Sequence, residues 1–566
     1  MNSKLDFYPP LDLASVFGNR DKNESYKMAS PEKSAKAHQL PIKTLTSHQK
    51  SGVFNTTIKE NGPKIARKLG QNEKIFHSEI EKHRCYIFRT FLIKSGIDLY
   101  KNMDVVKRGI SEWKQLHPLL RCTIVNRKNE QTGVKEMHFA YASEEKLNSL
   151  DNFEFLYYAS NSSKICNDIW KLLVERETTL TMDGEDSLLY RLTFLQIKNL
   201  SATNNGEHRY AVILTYDHAI MDGRSSYNSV LQLMTIIENI YLFNYKRPDI
   251  CTILPPKEEI FKEKLAKKKN QSASRYYYLK GPEFLDRANA HKTSYKKLTY
   301  LTPEEEETGT IFTHEHKPFV TLKQLNEISK NNNSKFRTLL LKPPDLKKLI
   351  KKCKENNVKL TTFINMALIM AIRLISKKLD KNSTAKDPVN FTTNISLREF
   401  EDFQNFTKNN TCNRSEAIGC YISLYYNTFK ENFSFHDYNK WKSEFWKYAQ
   451  NESKTFHERL KDNDFIGSIS LPHEKKTEND FFYHFGNSNL GVLSSNNTET
   501  KLIQIKQTYG HSRYSKGNFY CWFTNMIATI DDQLCWTISF NSFTIKQEII
   551  AMVIENLSKI IRELMK

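Results

Sequence analysis

In both halves of this chain, short apolar runs with strand character alternate with longer runs of helical period. The clearest case is 210–216, YAVILTY, which runs directly into Asp217 and His218. After a turn with Gly223, a helical pattern follows from about 225 to 245. A sheet must bury its apolar face, and a chain patterned this way does so by laying helices on sheets. At 566 residues it exceeds one ordinary core and is expected to form two α/β lobes, each a mixed sheet with helices. Its 39% hydrophobic and 12% aromatic residues are enough to fill both.

The expected segments follow this alternation. Residues 1–60 are polar, without sustained period, and read as a flexible arm. The stretch 61–254 forms a first lobe, with strands near 85–93, 119–125, 137–142, 188–197 and 210–216 and helices near 97–116, 165–176 and 225–245. Residues 255–334 mix a basic run at 262–270 with an acidic one at 303–307 and read as a linker or excursion. The stretch 335–566 forms the second lobe. Its strands are expected at 336–341, 389–395, 421–428, 502–507, 520–528 and 534–540, its helices at 344–356, 361–378, 436–460 and 547–566.

Charge and cysteine usage narrow the classes. A formal net charge of +20 suits a polyanionic partner, but Lys and Asn are scattered over solvated positions, and the basic runs carry no aromatic-basic module, so nucleic acid is not expected. The nine cysteines form no C-x-x-C pair, which suits a reducing compartment and neither disulfides nor zinc, so no metal is expected. Residues 1–19 do not read as a signal peptide. The longest apolar run, 363–375, is interrupted by Asn365 and Arg373 and is short for a bilayer span. A cytoplasmic monomer is the expectation, with peripheral attachment to the endoplasmic reticulum or lipid droplets left open.

At the end of the 210–216 strand stands His218-x-x-x-Asp222-Gly223. It resembles the H-x-x-x-D-G motif of the chloramphenicol-acetyltransferase-like superfamily, which includes condensation domains and alcohol acetyltransferases. Flanking segments agree in order. The text 113–121, WKQLHPLLR, resembles a helix end and strand start of condensation-type members, and 187–192, SLLYRL, resembles the strand before the motif strand. Residues 393–398, TNISLR, with Ile418-Gly419, resemble a second-lobe strand and its glycine. Ser488-Asn489-Leu490-Gly491 resembles a segment of the fungal alcohol acetyltransferase branch, the nearest one. The D-F-G-W-G motif of the plant branch is absent, and Asp217 stands where peptide-synthetase members have a second histidine.

The resemblance implies two chloramphenicol-acetyltransferase-like lobes with an active-site tunnel between them. It implies transfer of an acyl group, acetyl above all, from acyl-CoA to an alcohol, an amine or a lipid-like acceptor. No bound cofactor is needed, because CoA serves as a co-substrate. A thioester is already activated, so the reaction requires only a base for the acceptor's proton and no covalent intermediate. His218, with an ordinary pKa of about 6.5, suits that role. Asp222 would hold the loop's shape by pairing with an arginine, Arg398 or Arg84. Gly223 would allow a positive φ or close approach to the next helix. Ser488 and Asn489 would line the tunnel.

Two other readings stay open: a condensation-type enzyme taking its acyl group from a carrier protein, and a non-catalytic lipid or small-molecule binding protein of the same fold. Residues 184–188, GEDSL, match the text at which carrier proteins receive phosphopantetheine, but 188–197 alternates like a strand, where such a site needs a helix. The stretch 510–514, GHSRY, lacks the closing glycine of a nucleophile elbow. The terminal helix places Ile549, Ile550, Val553, Leu557, Ile560, Ile561 and Leu564 on one side and is expected to cover a sheet.

Overall fold

The computed structural model describes residues 64–566 apart from 79–84, 150, 183–186, 203–205, 269–278, 281–308, 380–387, 409–417, 436–437, 471–479, 482, 494–500 and 514–520. The arm at 1–60, Arg84 and much of the 255–334 segment therefore lie outside the described residues.

Two mixed sheets dominate. The first has seven strands in the order Pro318–Thr321, Thr310–Thr313, Phe153–Ser160, Tyr190–Asn199, His208–Asp217, Tyr86–Ser95, Ile503–Ser512. The second has six: Ser334–Leu341, Gln533–Asn541, Cys521–Ile530, Tyr483–Val492, Val389–Ser396, Ile422–Phe429. The central run of His208–Asp217 is apolar on both faces because helices cover both. Tyr210, Val212, Leu214 and Tyr216 join the core shared with helix Gly223–Tyr241, while Ala211 and Ile213 pack towards helix Ser163–Glu177.

The lobes do not divide at single chain positions, which corrects the segment boundaries expected from composition. Strand Ile503–Ser512, from within 335–566, pairs antiparallel with Tyr86–Ser95 and completes the first sheet. At the opposite edge, Thr310–Thr313 and Pro318–Thr321 form a hairpin paired to Phe153–Ser160, and helix Leu322–Asn331 follows. Part of the expected excursion is thus sheet. Its four-residue strands are too short to display a period, and Pro318 is tolerated there because the strand is an edge.

Helix Leu360–Leu379 extends the expected 361–378 by one residue at each end. Among the described residues it is the one helix long and apolar enough to cross a bilayer, yet it packs against helices Gln547–Met565 and Tyr438–Lys461 with Phe363, Leu368 and Ile375 buried. The terminal helix Gln547–Met565 packs beside that helix and Pro343–Glu355, and its buried residues share one core with residues of the second sheet.

Helix Tyr438–Lys461 carries Glu452 to the second sheet, where its carboxylate accepts from Tyr425 Oη at 3.1 Å and Asn427 Nδ2 at 2.5 Å. Burial pushes this carboxyl up to about 7, outweighing the two hydrogen bonds that lower it. The native state therefore holds a proton that the unfolded chain releases, and stability is lost as pH rises from about 4.5 through 7. Glu452→Gln should raise unfolding free energy by about 1–2 kcal/mol above that range and by little at its acid end. Urea unfolding at the two pH values checks this; equal gains at both would contradict it.

Candidate active site

Backbone hydrogen bonds set the motif loop. Strand His208–Asp217 is held along its length by Tyr86–Ser95 and by Tyr190–Asn199. Beyond its end, the His218 N–H donates to the Cys85 carbonyl at 2.9 Å and the Ala219 N–H to Asp217 Oδ1 at 2.9 Å. Asp222 then caps helix Gly223–Tyr241, its Oδ1 accepting from the Ser225 N–H at 2.8 Å.

The imidazole of His218 is held by one hydrogen bond and one stacked ring. Its Nδ1 lies 2.8 Å from the Met221 carbonyl, which can only accept, so Nδ1 carries the proton and Nε2 keeps the lone pair. The Phe76 ring stacks on the imidazole with centroids 4.2 Å apart and planes at 23°. Burial lowers the pKa of His218, with the Met221 contact, Asp222 and Asp217 partly opposing, so the ring is neutral near pH 7. Cys420 Sγ lies 3.9 Å from Nδ1, but burial pushes its thiol well up and Nδ1 is committed to Met221. The pair is not an activated cysteine nucleophile.

Asp222 is fully buried. Its Oδ2 accepts from Arg398 Nη1 and, at 2.9 Å, from the Tyr421 N–H. Burial would raise its carboxyl, but the Arg398 guanidinium and the backbone N–H groups outweigh it and hold the carboxyl below the usual range. Arg398 also donates to Ser225 Oγ at 2.6 Å and to the Gly419 carbonyl at 3.2 Å, and its guanidinium lies 4.9 Å from the Tyr421 ring centroid. Because Arg398 follows a strand of the second sheet and Asp222 a strand of the first, this network fastens the lobes together beside the histidine. Arg84, the other arginine considered, lies outside the described residues.

Gly223 has no positive φ, which corrects that expectation. It is the first residue of its helix, and a Cβ there would come within 3.0 Å of Leu490 Cδ2. The close approach is to the second lobe's strand Tyr483–Val492. Arg224 makes the same crossing, its Nη1 donating to the Leu490 carbonyl at 3.3 Å.

A cavity of about 400 Å³ lies between the sheets, lined by His218, Gly223, Ser488 and Asn489 among others. The Asn489 side chain is fixed from both ends: its amide donates to Thr361 Oγ1 at 3.0 Å and its oxygen accepts from the Gly491 N–H at 2.9 Å. Ser512, from the near-match to a nucleophile elbow, also lines the cavity, but it sits on a regular strand and has no elbow turn. Residues 190–199, just after the GEDSL text, form a strand.

Sequence reading missed helix Gln71–Ser78, which supplies Phe76 and also His77, whose Nδ1 sits 2.7 Å from Asp217 Oδ2. Asp217, noted only as a departure from a histidine pair, thus anchors the helix whose Phe76 flanks His218. Strand Tyr483–Val492, the bearer of Ser488 and Asn489, was also missed.

No family model and no curated protein sequence matches this chain. Solved structures do. A trichothecene 15-O-acetyltransferase from Fusarium sporotrichioides aligns with a TM-score of 0.56 at 10% identity, covering 88% of this chain and 95% of that one. The first condensation domain of the CDA synthetase aligns with a TM-score of 0.53 at 10% identity, covering 88% and 96%. Polyketide synthase associated protein 5 from Mycobacterium tuberculosis gives 0.52 at 13%, covering 89% and 100%. The chain has the two-lobed acetyltransferase and condensation-domain fold. In this two-lobed fold the motif loop, the Asp222–Arg398 network and the cavity all lie where the two sheets meet.

Proposed function

We propose that the protein is an acyltransferase that moves an acyl group, acetyl above all, from acyl-CoA to the hydroxyl or amine of an acceptor. The observation that carries this reading is the tautomer of His218. With Nδ1–H committed to the Met221 carbonyl, the basic Nε2 has no partner among the described residues, on a side chain that lines the inter-lobe cavity. A neutral imidazole so held can take the acceptor's proton as its oxygen or nitrogen attacks the thioester carbonyl. Collapse of the tetrahedral adduct then breaks the C–S bond, and the thiolate leaving group takes that proton back from Nε2. No acyl group passes through the enzyme. Asp222 and Arg398 keep the loop in shape and the lobes together, and they do not touch the reacting atoms. The fungal alcohol acetyltransferases are the branch this reading favours.

The same geometry serves a donor carried on a phosphopantetheine protein, so the donor needs its own test. Purified protein is given acetyl-CoA or an acetylated carrier protein, each with a mixed panel of alcohols, amines and sphingoid bases, and products are read by mass. Acetylated acceptor from acetyl-CoA alone is the expected result. Product only from the carrier would replace the CoA reading with the condensation-type one.

A further inference from the structure

One wall of the cavity is formed by Cys85 and, on one face of the strand Tyr86–Ser95 that follows it, Ile87 and Arg89. Arg89 is 3% exposed, and its Nε and Nη2 have no hydrogen-bond partner. Among the described residues no carboxylate pairs with it; the groups nearest in charge are the Tyr216, Tyr227 and Cys535 side chains, all neutral near pH 7. Burial disfavours its charge, yet a guanidinium stays protonated in proteins, so the site holds a cation without a counter-ion. An unpaired buried charge is among the costliest features a fold can carry.

The backbone makes room for it. Gly510 stands opposite Arg89 on strand Ile503–Ser512, and a Cβ there would lie 2.6 Å from Arg89 Nη1 and 2.4 Å from Met526 Sδ. The guanidinium therefore lies across the neighbouring strand at its own rung, away from His218. The carbonyl of Cys85 receives the His218 N–H, and Arg89 is four residues further along the chain, so their backbone positions are about 13 Å apart at about 3.3 Å per residue.

We infer that Arg89 is a specificity residue that receives a carboxylate at the far end of the acceptor. A guanidinium fork matches a carboxylate, and one unpaired cation balances one negative charge better than a doubly charged phosphate. The separation from His218 fits an acceptor whose hydroxyl or amine and whose carboxylate are divided by a medium-length chain. A short acyl group on the donor would not span it. The inference rests on the acyl-transfer reading for the reacting end of the substrate, whereas the anion site stands on Arg89 itself.

The test uses the full chain, with Arg89→Met and Arg89→Lys beside wild type. Substrates are ω-hydroxy fatty acids of stepped length, their methyl esters and the corresponding phosphorylated alcohols, with acetyl-CoA as donor. In wild type kcat/KM should favour the free acid over its ester, and Arg89→Met should shrink that ratio by about 100-fold. Arg89→Lys should fall between, because it keeps the charge and loses the fork. Thermal melting gives a readout independent of turnover. The free acid should raise the Tm of wild type and not of Arg89→Met, and unliganded Arg89→Met should melt at or above wild type. Equal acid-to-ester ratios in wild type and Arg89→Met would overturn the proposal and leave acyl transfer standing. Turnover of no acceptor, with selective protection by the acid retained, would overturn the transferase reading and leave the anion site. Preference for the phosphorylated alcohols would overturn the assignment to a carboxylate.

Discussion

Asp222→Ala should lose about 3–5 kcal/mol of stability, the largest effect expected of any single change at the site. The carboxylate it removes receives Arg398, the Ser225 N–H and the Tyr421 N–H, all buried, and truncation takes the counter-ion from a buried cation and the acceptor from two backbone donors. Arg398→Met should cost less, because the carboxylate keeps its two backbone donors. The two variants should also differ in pH dependence. In the native protein Asp222 is held below its ordinary pKa, so its contribution is present above about pH 4 and is lost as pH falls through the folded value. Without Arg398, burial dominates and the carboxyl titrates higher, so the deficit of Arg398→Met should shrink on acidification. Urea midpoints at neutral pH and near pH 4 check both points. An Asp222→Ala protein as stable as wild type would remove the network from the account.

The second large effect is on rate. His218→Ala should lower kcat by about 10²–10⁴, the usual contribution of a positioned general base, with melting close to wild type. The ring makes one hydrogen bond to a carbonyl and one stacking contact with Phe76, so little of the fold depends on it. Because burial lowers the His218 pKa, the acid limb of kcat/KM should fall below 6.5, and activity should persist into mildly acidic solution. A plateau beginning above pH 7 would mean that another group sets the proton balance.

The parts of this site differed in how legible they were. The strand ending at His218 could be read because 210–216 is continuously apolar, as a strand covered on both faces must be. Helix Gln71–Ser78 could not: eight residues give barely two turns, too few for a period to stand out. Strand Tyr483–Val492 is hidden by Gly486, Asn487, Ser488, Asn489 and Gly491, all poor strand formers. It persists because parallel neighbours pair it on both sides and because buried amides brace it: Asn487 donates to Asn365 at 2.7 Å, Asn525 to the Gly486 carbonyl at 3.1 Å. Arg398 and Asp222 are 176 residues apart, and no spacing rule links them; only the family resemblance singled out that arginine. Arg89 did leave a signal, a charge in the middle of the apolar run CYIFRTFLI, and such a charge is worth pursuing wherever it occurs.

Thiol release from acetyl-CoA, followed with a mixed panel of alcohols, amines and sphingoid bases, tests the role of His218 most directly. Wild type should release thiol in step with acetylated acceptor, and folded His218→Ala should release almost none. Turnover by His218→Ala at the wild-type rate would contradict the assignment of His218 as the base.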